Sequence, residues 1–252
     1  MGPLLNLSLR QLTGRRRLLL ILLLASLPVG LAALLSAAVG DDEPSTHGGF
    51  TNGLLDGMLI SGIMPIITML LATAAFGNEL EDRTLGYLVL KPISRWRIVI
   101  PKLSASIMVC APVVVASGIG ATLLGAGGFG ATLLVLDGAA QATLAVGVAL
   151  LVGVVTYAAM FTWLGLISGR ALAFGLVYVF LWEGLLSSFL EGIRYLSVRG
   201  YTLAILHGLD DKTFGELDDR VIGFPAGIAG AVVMTVVFVL LTVRRLRRMD
   251  VP

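Results

Sequence analysis

Long apolar runs without charge alternate with short polar islands along this chain. Arg15-Arg16-Arg17 introduces the first run, which Gly40-Asp41-Asp42-Glu43-Pro44 closes, and five more follow. A helix rises about 1.5 Å per residue, so about 20 apolar residues cross a hydrocarbon core of roughly 30 Å. Backbone amides inside lipid must be satisfied within the protein, which admits only helices or closed barrels. The apolar residues here are contiguous rather than alternating, which selects helices. The pattern predicts an all-α polytopic membrane protein of one domain, residues 1–252. Its six transmembrane helices lie at about 18–39, 54–77, 103–124, 144–168, 171–190 and 221–243.

Local signals refine these runs. Leu4, Leu5, Leu7, Leu9 and Leu12 interleave with Asn6, Arg10 and Gln11, so 1–17 reads as a short helix on the membrane surface. Ser36-Ala37-Ala38 resembles a signal-peptidase site. The run before it exceeds the 7–15 residues of a signal core, which favours a retained span. Pro65 is expected to kink the second span and Pro112 to break the third locally. Between Ala131 and Gly169 the only charge is Asp137, with no internal turn signal. That stretch reads as one crossing preceded by an outer helical extension. The segment 191–220 is a mixed outer region, in which Ile193 to Leu209 suggests interfacial helices broken at Gly200.

Charge then orients the chain. Arg10, Arg15, Arg16, Arg17, Arg83, Lys91, Arg95, Arg97, Lys102, Arg170, Arg244, Arg245, Arg247 and Arg248 share one face. Only Arg194, Arg199, Lys212 and Arg220 lie on the other, beside most of the acidic loop residues. The positive-inside rule therefore predicts both termini in the cytoplasm. Overall, 57% of residues are hydrophobic and 13% charged, with a net charge of +2. A soluble domain carries about 25% charged residues. The arginines flank spans and are explained by topology, which argues against a nucleic-acid surface. Cys110 is a lone cysteine and His47 and His207 stand apart, so no metal-ligand spacing exists.

The segment 78–102 is the densest cytoplasmic island. Glu79, Glu81 and Asp82 suit the start of a helix, where acidic groups meet the positive end of the macrodipole. Leu80, Thr84, Tyr87, Leu88 and Lys91 recur every three or four residues and give that helix a mostly apolar face. Pro92 ends it, and Ser94 can cap the next helix, with Trp96 at interface depth. An amphipathic helix between two spans suits a soluble protein partner. Its acidic cluster disfavours rest on an anionic inner leaflet.

The run FGNELEDRTLGYLVLKPISRWRIVIPK resembles the signature of the type-two ABC exporter permeases. An acidic stretch, Glu79 to Asp82, leads into Thr84, Leu85, Gly86 and Leu88. Pro92, Ile93, Ser94 and Arg95 then form a turn, and Lys102 opens the next span. The opening LSLRQLTGRRRLLLILLLASLPV, the later LWEGLLSSF and the outer LSVRGY are similar to the same family. Arg83 departs from it, since many members carry Gly before the Thr.

The resemblance implies that 78–102 is a coupling helix docking on a separate ABC ATPase subunit. Glu79, Leu80, Glu81, Asp82, Arg83, Thr84, Leu85 and Leu88 would form the contact, and Pro92, Ser94 and Arg95 the turn behind it. It further implies a second permease, identical or different, export of an unspecified substrate, and residence in a bacterial cytoplasmic membrane. ATP and Mg would be held by the partner. This chain has no G-x-x-x-x-G-K-[ST] loop for phosphates and no recognisable catalytic motif.

Glu183 is the one ionisable residue deep in a span, about 18 Å along the fifth helix from Ala171. Insertion of an acid there costs about 2.5–3.5 kcal/mol, so it should face protein or water. Equal depth on the fourth span points to Thr156 and Tyr157 as partners. The group serves either a transport pathway or a link between helices. Gly165/Gly169, Gly223/Gly227 and Ala145/Ala149/Gly153 are small pairs read as packing within the chain. Two other classes stay open: a secondary transporter, against which the lack of a repeat between the halves counts, and a non-transporting scaffold or assembly factor.

Overall fold

The computed structural model describes residues 2–39, 53–81, 94–125, 136–186, 191–214 and 222–248. All regular structure among them is helical. Helix α1 covers Gly2–Leu12 and α2 Arg15–Val39. Helix α3 begins as a π-helix at Leu54–Ile63 and continues as an α-helix over Met64–Glu81. Then come α4 (Trp96–Gly125), α5 (Leu136–Ile167), and α6, which is α-helical over Ala171–Val177 and π-helical over Tyr178–Leu186. A 3₁₀ turn at Glu191–Leu196 precedes α7 (Val198–Leu209), the short α8 (Asp211–Phe214) and α9 (Phe224–Arg247). Among the described residues, five helices are long and apolar enough to cross a membrane, and Ala171–Leu185 is a shorter apolar helix.

Helix α5 is the axis of the bundle. It packs on α3, α4, α7 and α9. In the apolar stretches of α3 and α5, 72% and 67% of residues are buried, against 22% in those of α2 and α9. Small residues make this central position possible. At Gly165 a Cβ would come 2.6 Å from the Thr73 carbonyl oxygen, so the α3 and α5 backbones touch there. At Gly153 it would meet Thr202 Oγ1 at 2.6 Å and Met64 Cε at 2.9 Å, where α3, α5 and α7 converge. Gly227 is held equally close to Ala204 of α7. These glycines pack within the chain, whereas Gly169 and Gly223 meet nothing within 4 Å.

The prolines act differently from expectation in one case. Helix α4 runs unbroken through Pro101 and Pro112. Each proline removes one backbone donor and strains one turn, but in lipid no water would take up the bonds freed by a full break. Pro65 sits where π winding gives way to α winding, in the first turn of the α-helical part of α3. Helix α1 buries Ser8 and Leu12 and packs on α4, so protein holds it.

The outer segment also departs from its prediction. Gly200 does not break a helix; it lies in the first turn of α7, whose cap is Ser197. A Cβ on Gly200 would approach the Arg194 carbonyl oxygen to 2.6 Å, so the turn before the helix requires glycine. Helix α7 is held by protein on two sides. Val198 and Tyr201 to Leu206 are buried, wedged between α5 and α9.

Candidate functional site

Two places carry the polar chemistry, and the structure treats them unequally. At the segment 78–102, Glu79, Leu80 and Glu81 form the end of α3. Asp82, Arg83, Thr84, Leu85, Leu88 and Pro92 lie outside the described residues. Beyond them the chain re-enters α4 in a tight turn, with the Ser94 carbonyl accepting from Arg97 N–H at 2.9 Å and the Arg95 carbonyl from Val99 N–H at 3.0 Å. Lys102, buried to 4% exposure, donates its Nζ to the Ala75 carbonyl of α3 and stands 4.5 Å from the Phe76 ring centre. The helices that bracket the segment are thereby tied together at its base.

The second place is a buried polar cluster under α7. Glu183 is fully buried, and its carboxylate accepts three hydrogen bonds. Tyr178 Oη donates at 2.8 Å, Val198 N–H at 3.0 Å, and the Ser197 hydroxyl gives the third. Ser197 Oγ in turn accepts from Gly200 N–H at 3.1 Å as the N-cap of α7. The carboxylate therefore sits at a helix N-terminus, where the macrodipole favours negative charge. The π winding of α6 explains the tyrosine. In an α-helix residues five apart point about 140° away from each other, whereas the wider i→i+5 turn returns them to one side. Phe161 meets the Tyr178 ring edge-on at 6.3 Å, and Trp182 stacks on it at 6.4 Å.

Arg199, the second residue of α7, completes the cluster. Its Nε and Nη2 bind the two Asp56 oxygens at 2.7 and 2.8 Å, a bidentate fork between α7 and α3. Asp56 is 6% exposed. Burial disfavours the guanidinium cation, but the bonds to Asp56 and the nearby carboxylates outweigh it, and the Arg199 pKa is raised. One cation thus stands between two carboxylates, binding one directly.

The partners predicted for Glu183 need correction. Thr156 turns away from the carboxylate, donating to the Val152 carbonyl at 2.9 Å and accepting from Thr235 of α9 at 3.3 Å. Tyr157 is on the correct face and close enough to feel the Glu183 charge, but its hydroxyl finds no partner of normal hydrogen-bond geometry. Equal depth fixes the level on a helix, while rotation by about 100° per residue decides which neighbour is faced. Tyr178, Ser197, Arg199 and Asp56 were not foreseen as partners. The available signal was Asp56 itself, an acid inside an apolar run that needs a cation.

Comparison with known families bears on both places. The family model for the ABC-2 family transporter proteins matches residues 13–182, which take in the first four runs, the segment 78–102 and most of α6. The match stops one residue before Glu183. No curated protein gave a significant match. A match over well more than half of the sequence settles the family: this chain belongs to the ABC-2 family of transporter proteins.

Proposed function

We propose that the chain is the permease subunit of an ATP-driven exporter in a bacterial cytoplasmic membrane. It pairs with a second permease, and the pair works with two separate nucleotide-binding subunits that hold ATP and Mg. The carrying observation is the family match, which includes the whole of 78–102. Six crossings, with α6 as the fifth, put both termini in the cytoplasm, in keeping with the basic residues gathered on one face.

Residues 79–88 then dock on the ATPase, and Pro92, Ser94 and Arg95 shape the return into α4. The Lys102 tie makes α3 and α4 respond together when the ATPase subunits close. Both helices pack on α5, so the displacement passes to the centre of the bundle. At the outer end, α7 is fastened to α3 through Arg199 and to α6 through Glu183, and these bonds set how the exit side opens.

The test is co-purification of the native chain from its own membrane beside a Glu79→Ala, Glu81→Ala, Asp82→Ala triple variant. An ATPase subunit should accompany the native chain and be lost or uncoupled in the triple variant. A well-folded native chain that brings down no ATPase activity would overturn the reading.

A further inference from the structure

The two parts of α3 are held in different ways. The α-helical part, Met64–Glu81, packs chiefly on α5 and α4. Its backbone touches that of α5 at Gly165, Cys110 Sγ lies 3.9 Å from the Ile67 carbonyl, and Lys102 binds the Ala75 carbonyl. The π-helical part, Leu54–Ile63, meets α2, α4, α6 and α7. Among the described residues, the Asp56–Arg199 fork is the one side-chain hydrogen bond it makes to another helix. The backbone ladder also has a gap where the two parts join. Met64 N–H closes the last π turn on the Leu59 carbonyl, and Pro65 has no N–H to bind the turn behind it.

Between apolar helix faces in lipid there is no hydrophobic drive, because acyl tails suit leucine as well as protein does. Leu55, Leu59 and Ile60 are buried, but they hold the π part by packing contacts alone. The fork therefore decides whether that part stays against the bundle. Its other end is fixed, since α7 is wedged between α5 and α9. Helix α6 is bound there too, through Ser197, through Val198 N–H and through Trp182 Nε1, which donates to the Leu196 carbonyl at 3.4 Å. Arg199 Nη1 also donates to the Glu183 carbonyl at 3.5 Å. When the fork parts, Arg199 keeps Glu183 beside it, and Asp56, in the first turn of α3, leaves by the end of the bundle. Each charge has somewhere to go. We propose that Leu54–Ile63 is a hinged arm, which turns at Met64–Pro65 and is latched to α7 by the fork between Asp56 and Arg199. That its movement opens a transport pathway rests on the function proposed above; the hinge and the latch do not.

Hydrogen–deuterium exchange of the purified full-length chain in lipid nanodiscs, resolved by mass spectrometry, reads the arm directly. Asp56→Asn should speed exchange of 54–63 by at least about tenfold, the factor equivalent to one lost charge-assisted bond. Segments 66–77 and 198–209 should keep their native rates, since the opening is local. Arg199→Lys keeps the charge without the two-pronged geometry, so it should give a smaller rise confined to 54–63. Pro65→Ala restores the missing donor and should slow exchange of 54–63 in the Asp56→Asn background. Equal acceleration of all three segments would make the fork a general tie, and an unchanged 54–63 would remove the latch; either overturns the proposal. A Pro65→Ala, Asp56→Asn protein that opens as readily as Asp56→Asn alone overturns the hinge. No ATPase enters these measurements, so their failure would leave the permease reading standing.

Discussion

At the end of the bundle where α7 starts, Asp56 and Glu183 are buried, Arg199 is half-buried, and the three join α3, α6 and α7. At the basic end, Arg15, Arg16, Arg97, Arg244, Arg245, Arg247 and Arg248 are exposed, and Lys102 is the buried exception. Exposed charges keep their hydration, so each carries little of the stability. Buried charges have exchanged water for protein and hold only while every partner is present. The same residue types are thus exposed at one end and join helices at the other, and substitutions should separate the two.

The largest expected effect is at Arg199. Its removal leaves Asp56 buried without its fork, and breaking a buried pair costs about 3–5 kcal/mol. Arg199→Ala should therefore lower thermal stability in detergent markedly. Asp56→Leu with Arg199→Met should recover most of the loss, because an apolar pair of similar volume removes the uncompensated charge. Arg245→Ala, exposed on α9, should stay within about 0.5 kcal/mol. Equal losses at Arg199 and Arg245 would break the contrast.

A smaller effect is expected at Glu183. Three donors converge on its carboxylate. In Glu183→Gln one oxygen becomes an NH₂ group, which cannot accept and must face a donor. The cost of such a mismatch is about 1–3 kcal/mol. Thermal unfolding should show it alongside a transport assay. If stability is kept while transport is lost, the carboxylate acts in the pathway and the outer cluster is more than a fastening.

The long helices were legible because run length alone answers the thickness of a bilayer, and the family because the residues of 78–102 that carry its resemblance are contiguous. Lateral pairing was not. Asp56 and Arg199 are 143 residues apart, and no spacing rule connects them. Tyr178 was hidden by the π winding of α6, which an α-helical period misplaces. Gly200 was misread because glycine signals a break as readily as a close approach, and only the Arg194 carbonyl beside it distinguishes them. Thr156 was chosen by depth, which carries no information about rotation.

The smallest effect should come from Ser197, and it discriminates most finely. Its hydroxyl donates to Glu183 and accepts from Gly200 N–H, so it both caps α7 and binds α6. Loss of a serine cap costs typically about 1 kcal/mol. If capping were its whole role, Ser197→Ala would cost that amount with or without the Glu183 carboxylate. If the hydroxyl also fastens α7 to α6, the two substitutions are coupled, because residues in one hydrogen-bond network depart from additivity by about 0.5–3 kcal/mol. The cycle of Ser197→Ala, Glu183→Gln and their double, read by thermal unfolding, should give coupling within that range. Additive losses would reduce Ser197 to a helix cap and leave Val198 N–H and Tyr178 as the groups that hold the carboxylate.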